Sequence, residues 1–284
     1  MTRTALITGG AGGMGFATAR ILGRDHRIVL ADLDQDRIDK AVSELAALDI
    51  DAAGFACDIT DRSSVDRLFD AAADGGHHVR AVVHAAGISP QMGTPGRIAR
   101  INGIGTVNIA QAFLGRAAEG DALVNVASTA GHGVPKLLIP FRAFSRAETD
   151  PGAFERAIVA RSKVAGKKLR SGLAYGLSKA FVIWYTRFLA ADFGRRGARV
   201  VSVSPGSFDT AMGQLEKDHG ASDLLKSAAI KRFGEPAEIA SILAFAASTE
   251  PGYLTGTDIL VDGGSRAGQE FRKRRKPDPA SIER

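Results

Sequence analysis

A single cysteine, Cys57, is all that 284 residues offer, so neither an internal disulfide nor a cysteine-based zinc site can form. No metal site is expected. Nowhere does the chain approach the roughly 20 uninterrupted apolar residues that a membrane-spanning helix requires. Residues 1–10 contain no apolar h-region and no small-residue cleavage site, so a secretory signal is not expected. A reducing cytoplasm fits these absences. Charge of one sign is not spread over the chain either. The net charge of +6 concentrates in two segments: residues 132–174 hold nine Lys/Arg against three Asp/Glu, and residues 266–284 hold seven against three. The C-terminal cluster reads as a solvated tail, and nothing on the body supports a nucleic-acid partner.

What is present is regular alternation. Apolar runs at 4–8, 27–31, 53–57, 81–84, 122–127, 199–203 and 258–261 are bounded by turn residues and read as strands. Several are continuous, as strands buried on both faces are. Segments of helical period lie between them, at 14–22, 35–48, 62–73, 98–117, 174–193 and 236–247. Strand and helix in strict alternation predict an α/β fold, a Rossmann-type doubly wound parallel sheet of about seven strands in a single domain. That domain is placed at 1–265, with 266–284 as a basic tail.

Residues 132–174 interrupt the rhythm. A connection of more than forty residues should carry structure of its own or a function. Asp150-Pro151 predicts an N-cap followed by proline at the first helical position, with Phe154, Ile158, Ala165 and Leu169 on an apolar face. The segment reads either as a helix packed on the body or as an apolar flap over a hydrophobic substrate, with Leu137 to Phe141 at its tip.

The first strand ends in Thr8-Gly9-Gly10-Ala11-Gly12-Gly13-Met14-Gly15. Glycines let a backbone turn tightly against a pyrophosphate, and the following helix directs free N–H groups at its oxygens. The second strand ends at Asp32, 23 residues after Gly9, where a carboxylate can accept bonds from an adenosine ribose and repel a 2′-phosphate. No Lys or Arg lies inside the glycine loop, so NAD is expected rather than NADP. Tyr175 and Lys179 stand at i and i+4 on one helix face. A nearby ammonium favours phenolate and makes a phenol useful in acid/base work.

These motifs resemble the short-chain dehydrogenase/reductase family. Further matches lie at Asn125-Val126-Ala127-Ser128-Thr129-Ala130-Gly131, at Asn102 in Ile101-Asn102-Gly103, at Pro205-Gly206-Ser207-Phe208-Asp209-Thr210 and at Leu254 to Gly264. The resemblance covers residues 3–265 apart from the insertion. It implies that Tyr175 is the general acid/base, that Lys179 lowers its pKa and binds the nicotinamide ribose, and that Ser128 hydrogen-bonds the substrate oxygen. It implies that Asn102 holds a water linking Lys179 to solvent. The implied cofactor shell comprises Gly9, Gly13, Met14 and Gly15, then Asp32 and Leu33, then Cys57, Asp58 and Ile59. It continues through Ala85, Ala86 and Gly87 to Tyr175 and Lys179, and ends with Pro205, Gly206, Phe208 and Thr210.

Two departures stand out. The family's usual Asn-Asn-Ala-Gly is His84-Ala85-Ala86-Gly87 here, with His84 read as a structural substitution. Ser128 and Tyr175 are 47 residues apart, where a dozen is usual. A similarly placed insertion occurs in a subgroup resembling bacterial 3α-hydroxysteroid and coniferyl-alcohol dehydrogenases. The expected function is therefore NAD(H)-dependent interconversion of a hydrophobic secondary alcohol, such as a hydroxysteroid, and its ketone. The alternatives are a dehydrogenase of a small or aromatic alcohol and a non-catalytic NAD-binding sensor or scaffold. The expected partners are a small-molecule substrate and further copies of the chain, as dimer or tetramer, through the helices starting near Ile98 and Ala174. Trp184 and Tyr185 read as core or subunit contact, and His132 and His219 as solvated.

Overall fold

A computed structural model describes residues 3–216 and 222–271. Seven strands form one parallel sheet: β1 (Arg3–Thr8), β2 (Arg27–Asp32), β3 (Ala52–Ala56), β4 (His78–His84), β5 (Ala122–Val126), β6 (Arg199–Pro205) and β7 (Thr257–Val261). Their order is β3-β2-β1-β4-β5-β6-β7. The order reverses between β1 and β4, which opens a crevice at the carboxyl ends of those two strands.

Helices cover both faces. On one lie α1 (Gly13–Leu22), α2 (Gln35–Ala46) and α13 (Pro236–Ala247). On the other lie α3 (Arg62–Ala73), α4 (Pro95–Ala99), α5 (Gly105–Leu114) and α9 (Arg170–Phe188). Side chains alternate along each strand, so Ala5 and Ile7 of β1 enter the first layer while Leu6 enters the second. Between α4 and α5 a π-turn spans Arg100–Ile104 and carries Asn102. The expected helix at 98–117 is thus three pieces. Short helices complete the chain: α6 (Thr129–His132), α7 (Phe141–Phe144), α8 (Pro151–Ser162), α10 (Ala190–Arg195), α11 (Ala211–Glu216), α12 (Ser222–Ser227) and α14 (Ser265–Phe271).

The insertion contributes α7 and α8. The Asp150 side chain caps α8 by accepting from Ala153 N at 2.8 Å, and Pro151 occupies its first turn. The helix stops at Ser162, short of Ala165 and Leu169, and Leu169 is exposed. Phe154 and Ile158 are fully buried. Phe154 lies 4.6 Å from the Phe181 ring and 5.9 Å from Phe144, and Phe144 packs on Trp184 at 5.7 Å. Glu148 fastens the segment by accepting from the Tyr185 hydroxyl at 2.8 Å, while Gln111 of α5 donates to that hydroxyl at 3.0 Å. Burial pushes the Tyr185 phenol well above its ordinary value. The packed-helix reading therefore describes α8; Tyr185 belongs to the core, and the partly buried Trp184 packs against it. Leu137 and Phe141, exposed before α8, are what remains of an apolar tip. Phe154→Ala should cost about 3–5 kcal/mol by opening a cavity between α8 and α9. A urea titration would show it, and an unchanged midpoint would refute this packing.

Two sequence readings are corrected. The segment expected to be a tail begins as a helix up to Phe271. Asp262 starts it, accepting from Ser265 Oγ at 2.9 Å and Arg266 N at 2.8 Å. His132 is only half-buried, but it is held by a partner rather than free in solvent. Its Nε2 lies 2.8 Å from Oδ2 of the buried side chain of Asp258 on β7, 126 residues away. Residues 272–284 and His219 lie outside the described residues. Among the described residues no helix is long and apolar enough to cross a membrane.

Candidate active site

The crevice between β1 and β4 collects most of the residues singled out above. Gly9 turns at φ +67°, a conformation that L side chains rarely adopt. A Cβ there would lie 2.8 Å from Ala86 N, so the glycine loop is seated directly on the Ala85-Ala86 backbone. A Cβ on Gly15 would lie 2.3 Å from the Gly9 carbonyl oxygen, which brings the first turn of α1 onto the loop. Across the crevice, the Thr210 methyl stands 3.7 Å from the Cβ position of Gly13. The Pro205–Thr210 segment and the glycine loop thus face each other.

Asp32 ends β2, its Oδ1 accepting from Leu33 N at 2.8 Å. Asp34, two residues on, is the cap of α2, accepting from Arg37 N at 3.2 Å, so Asp32 is not needed for capping. Asp58 is exposed and orders its own turn by accepting from Thr60 N and Oγ1, both at 2.8 Å. Not every expected shell residue presents a side chain. Cys57, Ile59 and Phe208 are buried, and the Ile59 carbonyl already accepts from Asn108 Nδ2 at 2.9 Å. These three can offer backbone at most. Burial also pushes the Cys57 thiol up, making it less reactive.

Tyr175 and Lys179 share one face of α9, with the Lys179 Nζ 5.9 Å from the centre of the Tyr175 ring. Lys179 is buried, and its ammonium donates to the Val126 carbonyl at 2.8 Å. Ser128 follows Val126 by two residues and caps α6, its Oγ accepting from Ala130 N at 3.2 Å. The 47-residue gap to Tyr175 is closed by backbone contact between α6 and α9. A Cβ on Gly131 would lie 2.8 Å from Ala180 N, and one on Gly176 would lie 3.3 Å from the Ala130 carbonyl oxygen. The turn carrying Ser128 therefore rests on the helical turn that carries Tyr175 and Lys179. The insertion leaves from the end of α6 and returns to the start of α9 without parting them.

Asn102 completes the group from the π-turn, a backbone form frequent at functional sites. Its Oδ1 accepts from Ile88 N at 2.9 Å, and its Nδ2 donates to the Ile88 carbonyl at 3.0 Å and to Ser178 Oγ at 3.2 Å. A Cβ on Gly87 would lie 3.1 Å from Asn102 Oδ1 and 3.6 Å from Lys179 Nζ, which puts both against the same short loop. Phe154 of the insertion packs on the other side of this turn, 2.4 Å from the Cβ position of Gly103.

Arg37 escaped the sequence reading, and His84, read there as a structural substitution, was given no partners. Arg37 of α2 folds back over the glycine loop, with Nη2 3.1 Å from the Cβ position of Gly12. Its position five residues after Asp32 carries no local signal. His84 ends β4 and is buried between Thr8 and Thr106, at 2.7 and 3.2 Å. Burial first, and the charge of Lys179 second, push its imidazole down to about 3.

A glycine-lined cradle at the switch point of a doubly wound sheet, with a phenol, an ammonium and a hydroxyl beside it, defines an oxidoreductase of the dinucleotide-binding class. Residues 3–143 match the sequence model described as short chain dehydrogenase, and residues 142–266 match that described as enoyl-(acyl carrier protein) reductase. A short-chain dehydrogenase/reductase of Alternaria brassicicola is 31% identical over 94% of this chain and 97% of its own. A D-threitol dehydrogenase of Mycolicibacterium smegmatis is 30% identical over 92% of each chain. The crystal structure of a short chain dehydrogenase from Burkholderia cenocepacia in complex with NADP superposes with a TM-score of 0.73 at 26% identity, covering 92% of this chain and 97% of the other. The chain belongs to the short-chain dehydrogenase/reductase family, whose members use a nicotinamide cofactor.

Proposed function

We propose that this protein interconverts a secondary alcohol and its ketone with NAD(H). The observation that carries the reading is the packing of the Ser128 turn onto the Tyr175–Lys179 turn of α9, beside the glycine loop. The cradle fits a nicotinamide dinucleotide. The glycine backbone and the N–H groups at the start of α1 would receive the pyrophosphate, and Asp32 at the end of β2 would receive the adenosine ribose. Gly9, Gly13 and Gly15 would hold the pyrophosphate, Asp32 and Asp58 the adenosine, and the Pro205–Thr210 backbone the nicotinamide side. When bound, the cofactor supplies the hydride acceptor or donor.

The chain's own residues handle the proton. The Tyr175 phenol takes the proton of the alcohol, or returns it to the ketone oxygen. The buried ammonium of Lys179 stabilises the phenolate that results, and does so more strongly away from bulk water. Ser128 donates to the substrate oxygen while charge develops there. Asn102, fixed by its bonds to Ile88 and Ser178, would hold a water linking Lys179 to solvent for proton exchange. Leu137 and Phe141 are apolar side chains left exposed on the insertion that joins α6 to α9, and a hydroxysteroid belongs in the test for that reason. Because α8 packs on the body, the case for a bulky substrate rests on these two side chains. The D-threitol relative keeps small alcohols and polyols in view.

The test is reduced-cofactor formation at 340 nm from secondary alcohols, steroids and polyols, with NAD and NADP in parallel. Turnover of a bulky apolar alcohol supports the reading. No turnover in either direction, with NAD bound, would move the protein to the sensor reading. Asp32 selects NAD by refusing a 2′-phosphate, so Asp32→Ala should narrow the NAD/NADP ratio of kcat/KM at least about tenfold, or 1.4 kcal/mol. Equal use of both cofactors by the parent enzyme would overturn that selection. One observation favours a second reading, use of NADP: the Arg37 guanidinium sets a cation over Gly12 of the glycine loop, which a 2′-phosphate could use.

A further inference from the structure

We propose that His84 is a positioning residue that fixes the Asn102 carbonyl through Thr106, and so orders the π-turn beside Lys179. The inference rests on the catalytic reading above and goes beyond it, because both ring nitrogens of the buried His84 are engaged by Thr8 and Thr106 and neither is left for a substrate or cofactor. The argument is one of proton counting. Thr106 Oγ1 lies 2.8 Å from the Asn102 carbonyl oxygen, an acceptor only, so the single hydroxyl proton of Thr106 is donated there. Thr106 Oγ1 must then accept from His84 Nε2, 3.2 Å away, and His84 is the Nε2–H tautomer. Its Nδ1 is left as an acceptor, and Thr8 Oγ1 donates to it at 2.7 Å. The Thr8 oxygen in turn accepts from Ala86 N at 3.3 Å.

Every member of this chain is satisfied in one direction. It runs from the Ala86 amide, on which the glycine loop sits, to the carbonyl of Asn102. His84 is 2% exposed, Thr106 2% and Thr8 0%, so no water competes for these bonds. A second proton on His84 would face the Thr8 hydroxyl donor to donor, and the depressed pKa of the ring keeps it neutral. The imidazole, carried by β4, spans the distance between β1 and α5 with an acceptor toward Thr8 and a donor toward Thr106. Its role is therefore to transmit position, not to carry a proton.

The test uses the full-length enzyme with its best substrate, in four variants: His84→Leu, Thr106→Val, their double, and Thr106→Ser. The first two each break the chain, at different links. Each should lower kcat about tenfold, with KM and Kd for the nicotinamide cofactor within twofold of the parent. The double variant should be no worse than either single, since one broken link already frees the carbonyl. Thr106→Ser keeps the hydroxyl and should recover at least half of the parent kcat. Losses that multiply in the double variant would overturn the proposal. So would a fall in Tm with kcat unchanged, or a Thr106→Ser as impaired as Thr106→Val. Nitrogen-15 NMR of His84 separates this proposal from the catalytic reading, because it needs no turnover. The Nε2–H neutral tautomer should be seen in the parent and in Thr106→Ser, and lost in Thr106→Val. An Nδ1–H tautomer in the parent refutes the proposal whether or not any substrate is found, and it also decides the case if His84→Leu fails to fold.

Discussion

Replacing Tyr175 by phenylalanine should reduce kcat by about three orders of magnitude and leave cofactor binding nearly intact. The size follows from the step the phenol performs. A positioned general acid/base contributes about 10²–10⁴ in rate, and no other hydroxyl beside Lys179 has an acidity suited to the task. Ser128 is an aliphatic alcohol already engaged with Ala130 N, and its proton is far harder to remove. The substitution removes one oxygen and no ring atoms, so the half-buried ring of Tyr175 keeps its packing against the core around α9. Stability should change little. Lys179→Ala is the informative comparison. On the proposed mechanism it removes both the charge that stabilises the phenolate and a group that would bind the nicotinamide ribose, so kcat should fall and the cofactor Kd should rise together. Steady-state kinetics alongside a fluorescence titration with reduced cofactor would separate the two patterns. Turnover by Tyr175→Phe at the parent rate would place the proton transfer on another group and overturn the assignment.

The second large effect is expected from one methyl group. Gly15→Ala puts a Cβ 2.3 Å from the Gly9 carbonyl oxygen, and that oxygen belongs to backbone that cannot step aside. Either α1 moves out or the loop opens. In both cases the N–H groups of the first helical turn leave the place of the pyrophosphate. Cofactor affinity should fall at least about 100-fold, equivalent to 2.7 kcal/mol. Gly172→Ala is the control. It lies in the first turn of α9, where an added Cβ meets nothing within 4 Å, and its Kd and Tm should stay at the parent values. If Gly15→Ala binds the cofactor like the parent, the start of α1 is not the phosphate site.

Much of this was legible before any coordinates because its determinants are local. The alternation of apolar runs with helical periods named all seven strands to within a few residues at most. Asp150 caps the helix its position announced. Tyr175 and Lys179 share a face because i and i+4 always do on a helix. Glycines between a strand and a helix marked the cradle for the same reason: the turn and its permissive residues are adjacent in the chain. Even the presence of a helix after Asp150 was readable, though not its end at Ser162.

Other features were decided only when distant segments met. Whether Ser128 reaches Tyr175 across 47 residues depends on two glycines, Gly131 and Gly176, letting α6 and α9 touch backbone to backbone. Whether the insertion folds over the crevice or onto the body depends on Phe154 and Phe144 finding Phe181 and Trp184. The side of the helix that Arg37 takes, the tautomer of His84 and the attachment of His132 to Asp258 are likewise properties of pairs that no window of sequence contains. Periodicity records which residues are to be buried, since burial follows the repeat of the local backbone. It does not record against what, because that choice is made by the fit of side-chain volumes and the pairing of polar groups in the closed core.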